Sequence, residues 1–281
     1  MGKHLFLTEK RVIPVGDHSI RLLILRPMNA GREKVPGILW VHGGGYQSGS
    51  AKDVFATRAL SLTVKFGAVL VAPNYRLSKK HPYPAALHDC YAALLYLREH
   101  AEELGVRSDQ LMVGGESAGG GMAAALCMLA HDRGEVNIAF QMPLYPMLDD
   151  RDTPSSRDNR APNWNTKKNR KAWKRYLRSA YGTDIVSCYA APARRTDYSG
   201  LPPCYTFVGD IEPFLCETED YVRHLREAGV EASIDVYPGW FHAYDLFFPA
   251  KRIVREAISR FEEHYRYAAE HYFAPQKNEK A

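Results

Sequence analysis

The feature that most constrains the fold is a serine flanked by glycines, at the junction of an apolar segment and a run of small residues. Gly115, Ser117 and Gly119 form a G-x-S-x-G pattern. Apolar residues 111–113 precede it and residues 122–126 follow it, which predicts a strand, a sharp turn and a helix. The glycines remove Cβ atoms that would collide where strand and helix approach each other. Because such a turn presents its side chain clear of both elements, Ser117 is the candidate nucleophile.

A glycine turn of this kind is also found in purely structural roles, so a second motif is needed. His42-Gly43-Gly44-Gly45-Tyr46 directly follows the apolar run of residues 37–41. Backbone N–H groups that no side chain shields can stabilise the negative charge that develops on a carbonyl oxygen during acyl transfer. We predict such an oxyanion hole from the amides of Gly43, Gly44 and Ala118.

With these two motifs, and with Tyr75-Arg76-Leu77 and the segment His81-Pro82-Tyr83-Pro84-Ala85-Ala86, the chain resembles the hormone-sensitive-lipase-like family of α/β-hydrolase esterases. The likeness runs from about residue 11 to about residue 261. It implies an α/β-hydrolase fold, in which a doubly wound, mainly parallel sheet carries a small helical cap insertion. In this family the glutamate before the serine, here Glu116, supports the hydrogen bonds around the site.

The order of predicted elements leads independently to the same fold class. Residues 11–15 and 19–27 predict a hairpin at the antiparallel edge of the sheet. Further on, predicted strands alternate with predicted helices at residues 53–66, 85–104 and 118–132, as in a parallel sheet covered on both faces. The active site is then expected at the carboxyl ends of the strands.

Residues 148–199 break this alternation, and we predict that they form the cap, between core segments 1–147 and 200–281. One amphipathic helix is predicted over residues 166–181. Residues 151–178 contain ten Lys or Arg and two acids, and the whole chain has a net charge of +5. A basic patch is typical of nucleic-acid binding, but no binding motif surrounds it, so a solvated helix face is favoured. The few residues before residue 38 leave no room for the long N-terminal cap of many family members, which suggests an unusually open or differently roofed site.

A serine nucleophile needs a histidine to take its proton and a carboxylate to orient that histidine. In this fold the chain order is serine, acid, histidine. Of the histidines after Ser117, His242 alone lies in a predicted loop, and it follows the predicted strand of residues 232–237. The acid is expected just after the strand of residues 204–208, where Asp210 and Glu212 are the candidates. Matching to the family's aspartate before proline selects Glu212, and Asp210 stays the alternative.

We also predict that Tyr46, Trp164 and Trp240 contact the substrate. The expected reaction is hydrolysis of short acyl esters, acetyl to butyryl, through an acyl-enzyme. The same groups can cleave amides, peptides or lactones, and the family also includes receptors that lost the histidine, which His242 argues against.

No metal, cofactor, nucleic-acid or membrane partner is predicted. The sequence has no phosphate-binding or dinucleotide glycine pattern. Its five cysteines include no C-x-x-C pair, and no apolar run approaches the roughly 20 residues of a membrane span. A cytoplasmic protein is expected, and family members commonly form homodimers.

Overall fold

The computed structural model describes residues 6–28 and 33–277. Within them, one mixed sheet contains eight strands: β1 (Phe6–Val15), β2 (His18–Pro27), β3 (Val35–Val41), β4 (Val69–Pro73), β5 (Val106–Glu116), β6 (Phe140–Leu144), β7 (Cys204–Gly209) and β8 (Ala232–Tyr237). The spatial order is β1-β2-β4-β3-β5-β6-β7-β8. β1 pairs antiparallel with β2, and β2 pairs antiparallel with β4, whereas all other pairs are parallel. The predicted edge hairpin and the mainly parallel sheet are both confirmed.

The helices of the described residues are α1 (Ala59–Phe66), α2 (Ala85–Glu99), α3 (Ala101–Leu104), α4 (Ala118–Arg133), α5 (Thr166–Leu177), α6 (Leu215–Glu227), α7 (Tyr244–Phe247) and α8 (Arg252–His271). Short 3-10 helices lie at Ala51–Ala56, Arg178–Ala180 and Pro192–Arg194.

Helices cover both faces of the sheet, as the alternating pattern requires. Along β3, Leu39 and Val41 belong to a core cluster with residues of α2 and α4. Their neighbours Ile38 and Trp40 belong to a second cluster, with residues of α1 and α8. Successive side chains of a strand point to opposite faces, so these clusters are the two sides of a doubly wound sheet.

Three predicted helices have different bounds in the structure. The segment 53–66 is two pieces, because Thr57 adopts an extended backbone between the 3-10 helix and α1. The segment 85–104 is divided at His100, whose Nδ1 contacts the Tyr96 carbonyl oxygen at 3.0 Å. The predicted helix 166–181 ends at Leu177, because Arg178 has a positive φ of 54°.

The predicted cap segment, residues 148–199, lies between β6 and β7 and is attached to the core by one apolar face of α5. Trp173 and Tyr176 of this helix are fully buried, and they belong to the cluster that contains Tyr75 and Leu87. Tyr176 stacks on Tyr46 with ring centroids 4.0 Å apart. This packing fixes which residues of α5 face the carboxyl edge of the sheet.

Candidate active site

Ser117 occupies a one-residue turn between β5 and α4. Its backbone has φ 58° and ψ −121°, a conformation that a side-chain-bearing residue adopts at a cost of roughly 1–3 kcal/mol. The turn is held by the Ser117 amide, which donates to Leu144 O, and by the Ser117 carbonyl, which accepts from Met147 N. A Cβ at Gly119 would collide with the backbone carbonyl of Val41. The glycine predicted to allow close approach is therefore sterically required.

His242 follows β8 and brings its imidazole to Ser117. Its Nε2 lies 2.8 Å from Ser117 Oγ, and its Nδ1 lies 2.5 Å from Glu212 Oε2. Because a carboxylate only accepts, Nδ1 carries a proton that it donates to Glu212, and Nε2 is left to accept from the serine hydroxyl. All three side chains are buried. The arrangement can transfer the serine proton to the imidazole and stabilise the resulting imidazolium.

Glu212 and Asp210 have separate partners. The Glu212 carboxylate accepts from the Gly209 amide at 3.2 Å as well as from His242, and it is fully buried. Asp210 is exposed and accepts from the amide of Gly239, at 2.6 Å, in the loop before the histidine. The longer side chain of Glu212 reaches the imidazole, whereas the shorter side chain of Asp210 binds the loop that precedes His242.

The predicted oxyanion amides lie beside the serine. A Cβ added to Gly43 would stand 3.3 Å from Ser117 Cβ, which shows how close the glycine loop is to the turn. Within residues 6–28 and 33–277, the Gly43 and Gly44 amides donate to no backbone or side-chain acceptor. Ala118 is the first residue of α4, where an amide has no partner inside the helix. All three amides are therefore available to donate to a substrate oxygen atom.

His42 fixes the glycine loop. Its Nδ1–H donates to Gly43 O at 2.8 Å, and its ring stacks on Tyr75 with centroids 4.1 Å apart. The Tyr75 hydroxyl donates to His42 O at 3.0 Å. Burial lowers the pKa of His42, so the ring stays neutral near pH 7 and adds no charge beside the loop.

A second carboxyl group, Glu116, is buried beside the serine. Its Oε2 accepts from Trp40 Nε1 at 2.9 Å. Burial raises the pKa of Glu116 to about 8, although the Trp40 hydrogen bond opposes that shift. The nearby Asp245 is also buried, which raises its pKa despite the Arg58 guanidinium at 3.3 Å. Glu116 is therefore protonated at neutral pH, so its carboxyl group adds no negative charge beside Ser117.

These groups open into a cavity of about 490 Å³, which we call the active-site cavity. One wall, the sheet-edge wall, consists of Gly43, Gly44, Ser117, Tyr145 and His242. A second wall, the α5 wall, consists of Asn163, Trp164, Lys168 and Lys171, all within residues 148–199. Asp53, Thr57 and Glu116 contribute further polar lining.

The three aromatic residues predicted to contact the substrate lie in different places. Trp164 lines the active-site cavity, with its ring 6.1 Å from that of His242. Tyr46 does not line it, because its side chain is buried against Tyr176 beneath the glycine loop. Trp240 does not line it either, because it is partly buried against the second core cluster, with its ring centroid 5.1 Å from that of Tyr244. For Tyr46 and Trp240 the structure therefore indicates packing, not substrate contact.

The cavity-lining residues that sequence reasoning missed include Asn163, Lys168, Lys171 and Leu246. Asn163 Nδ2 donates to the His242 carbonyl at 2.9 Å, and so joins residues 148–199 to the histidine loop. No local pattern marks this contact, since the partners are 79 residues apart. The sequence shows that α5 is rich in basic residues, but which of them face the cavity depends on how the helix packs against the core.

Nothing in the described ranges forms a cluster of three or more side chains suited to a metal ion. Among the same residues, no helix is long and apolar enough to cross a bilayer.

Comparison with known proteins gives a consistent result. The α/β-hydrolase fold family matches residues 38–246. Carboxylesterase NlhH of Mycobacterium tuberculosis is 32% identical over 241 residues, which cover 82% of this chain and 72% of NlhH. Esterase LipI of the same organism is 31% identical over 228 residues, covering 81% and 71%.

Solved structures of esterases have the same fold. A bacterial heroin esterase superposes with a TM-score of 0.90 at 33% identity, covering 95% of this chain and 85% of that one. Esterase LipW from Mycobacterium marinum gives a TM-score of 0.86 at 29% identity, covering 94% and 82%. The predicted fold class and family resemblance are thereby confirmed: the chain belongs to the α/β-hydrolase fold family, within its hormone-sensitive-lipase-like esterases, and is a serine hydrolase acting on carboxylic ester bonds.

Proposed function

We propose that this chain hydrolyses short acyl esters through an acyl-enzyme on Ser117, with His242 as the base and Glu212 as its orienting acid. The observation that carries the proposal is the continuous hydrogen-bonded line from Glu212 Oε2 through both ring nitrogens of His242 to Ser117 Oγ. The same arrangement of serine, histidine and acid recurs on unrelated folds that carry out acyl transfer.

In the first half of the reaction, Ser117 Oγ attacks the ester carbonyl carbon as its proton moves to His242 Nε2. The carbonyl oxygen becomes negative, and the amides of Gly43, Gly44 and Ala118 donate to it. Losing one such donor typically slows acyl transfer by about 10²–10³-fold. The tetrahedral intermediate collapses as the imidazolium delivers its proton to the departing alcohol oxygen, leaving the acyl group on Ser117.

In the second half, water takes the place of the alcohol. His242 removes a proton from the water, whose oxygen attacks the acyl carbon, and the carboxylic acid departs as the proton returns to Ser117. The rings of Tyr145 and Phe214 meet the imidazole edge-on, with centroids 5.2 and 4.9 Å away. These contacts hold the ring in place through both halves.

The preference for acetyl to butyryl esters is supported by the close approach of the two walls. The Trp164 ring packs so tightly on the glycine loop that a Cβ at Gly45 would stand 2.6 Å from it. In this proposal residues 148–199 act as a small cap over core segments 1–147 and 200–281. A cytoplasmic location and a homodimer stay predictions.

The test is a series of 4-nitrophenyl esters from acetate to decanoate, with initial rates measured at fixed pH. We expect kcat/KM to be highest between acetate and butyrate and to fall by about tenfold or more by decanoate, as a long chain outgrows the cavity. Rapid mixing should show a burst of nitrophenol equal to the enzyme concentration if deacylation is the slower half. A maximum at decanoate would contradict the acyl-length proposal.

Two controls separate the other reactions of the same triad. A 4-nitroanilide with the best acyl group tests amide cleavage, and turnover above that of the ester would replace the esterase proposal by an amidase. A protein that is folded yet hydrolyses none of the nitrophenyl esters would contradict the proposed function as a whole.

A further inference from the structure

In the sequence the basic residues in and next to α5 form a single charged segment, but in the structure they divide into two sets with different surroundings. Arg170 and Arg175 of α5, and Arg178 directly after it, have polar partners. Arg170 pairs with Asp152, Arg175 donates to Gln47 Oε1, and Arg178 donates to Ser78 O and Lys79 O. Lys168 and Lys171 line the active-site cavity. Both side chains are exposed, as predicted for a solvated helix face, and they border the cavity that contains Ser117.

Lys168 is connected to the catalytic loop through Asn163. Its Nζ donates to Asn163 O, and Asn163 Nδ2 donates to His242 O at 2.9 Å. Two hydrogen bonds thus separate the ammonium group from the backbone of the histidine that contacts Ser117. Lys168 is therefore anchored to a residue that also contacts the histidine loop, and its side chain lines the same cavity as Ser117.

Lys171 lies three residues further along α5 and lines the same cavity. Residues at i and i+3 of a helix share one face, with Cβ atoms about 5–6 Å apart. The two ammonium groups can therefore reach one anionic group together. Across residues 6–28 and 33–277, neither lysine has a carboxylate within 4.0 Å.

The carboxyl groups that line the cavity offset this charge only in part. Asp53 accepts from both the amide and the hydroxyl of Ser50, at 3.1 and 3.2 Å, in the cap of the short helix Ala51–Ala56. Glu116 is buried and protonated at neutral pH, as described above. The cavity therefore presents two unpaired positive charges against one engaged carboxylate, and a concave wall concentrates that field.

We propose that Lys168 and Lys171 form a subsite for a carboxylate group of the substrate, so that the enzyme prefers esters carrying a negative charge away from the scissile bond. This inference rests on the proposed function, because it names a substrate class for the same site. The charge can belong to the alcohol part or to the acyl part, and the experiment has one arm for each.

The test compares matched esters that differ in charge. For the alcohol part, the pair is 4-acetoxybenzoate and the neutral 4-acetoxybenzamide. For the acyl part, it is the mono-4-nitrophenyl ester of adipate and 4-nitrophenyl hexanoate. The measured quantity is the ratio of kcat/KM for the anionic ester to that for its neutral partner. Intrinsic reactivity of each ester and general effects on the cavity cancel when this ratio is compared between variants.

The variants are Lys168→Gln with Lys171→Gln, and a matched pair, Lys167→Gln with Lys174→Gln. The matched pair removes the same charge from exposed positions of α5 that do not line the active-site cavity. We expect the ratio to fall by about tenfold in the first variant in at least one arm, mainly through KM, since about 1.4 kcal/mol of attraction corresponds to that factor. The matched variant should keep the wild-type ratio.

The dependence of the same ratio on salt concentration is a second test. Raising NaCl from 0.05 to 0.5 M should lower the wild-type ratio, because ions screen exposed charges, and should leave the Lys168/Lys171 variant unaffected. If both double variants change the ratio equally, or neither changes it in either arm, the subsite is refuted. If wild type hydrolyses neither neutral ester nor any nitrophenyl ester, the proposed function fails first, and the two failures are thus distinguishable.

Discussion

The two walls of the active-site cavity are built on different principles. On the sheet-edge wall, Ser117 and His242 are buried, and their positions follow from strand ends and from tight backbone turns. On the α5 wall, Lys168 and Lys171 are exposed side chains on a helix whose other face is buried. The first wall can hold reacting atoms to a fraction of an ångström, whereas the second can change its side chains without disturbing them. In our proposals, the chemistry and the choice of substrate therefore depend on separate parts of the chain.

If this contrast is correct, the largest loss of activity should follow from replacing the nucleophile, Ser117. Ser117→Ala should lower kcat for 4-nitrophenyl butyrate by at least about 10⁴-fold, because no other group can form the acyl-enzyme. The thermal unfolding midpoint should stay close to that of wild type, which serves as the control for folding. Residual activity above one per cent would show that the reaction does not depend on this serine.

The next largest loss of activity should distinguish Glu212 from Asp210, the two acids near the histidine. Glu212→Gln should reduce kcat by about 10²–10⁴-fold, since an amide cannot stabilise the imidazolium. Asp210→Asn is the matched control, since it is an acid-to-amide change two residues away. It should reduce kcat by less than about threefold, because Asp210 accepts from the Gly239 amide and not from His242. If Asp210→Asn proved the more damaging change, the acid would have to be reassigned.

On the α5 wall, the expected change is smaller and falls on binding. Trp164→Ala should raise KM for 4-nitrophenyl butyrate by about tenfold, through loss of apolar contact in the cavity, with a smaller change in kcat. Trp240→Ala, the same substitution outside the cavity, should change KM by less than about twofold. Equal effects of both substitutions would mean that the two walls are not distinct in function.

The last prediction concerns the stability of the fold, where Glu116 should have its effect. Its pKa of about 8 in the folded protein lies above the ordinary value of 4.5. Between these pH values the folded state keeps a proton that the unfolded state has released. The free energy of unfolding should therefore decrease as pH rises from 5 to 8, by up to about 1.4 kcal/mol per pH unit from this group, and level off above pH 8.

Glu116→Gln removes that titration. Urea unfolding at pH 5, 6, 7 and 8 should show the variant gaining stability relative to wild type as pH rises, with Glu219→Gln, an exposed glutamate of α6, as the control for losing a carboxylate elsewhere. A difference between Glu116→Gln and wild type that does not vary with pH would mean that Glu116 is ionised in the folded protein.

The sequence by itself determined the fold class and the elements that carry Ser117, His242 and the glycine loop. These features are local: a glycine on each side of a serine, an apolar run before it and a loop after a strand act over a few residues. The sequence also restricted the acid to Asp210 or Glu212, because both follow β7 directly.

Only the tertiary structure decided which side chains face the cavity. Tyr46 and Trp240 neighbour the motifs in the chain but pack elsewhere, whereas Lys168 and Lys171, in a segment without a motif, line the active-site cavity. The direction of a helix face depends on where its buried residues, here Trp173 and Tyr176, find partners far away in sequence. Such contacts leave no periodic or local pattern from which they could be predicted.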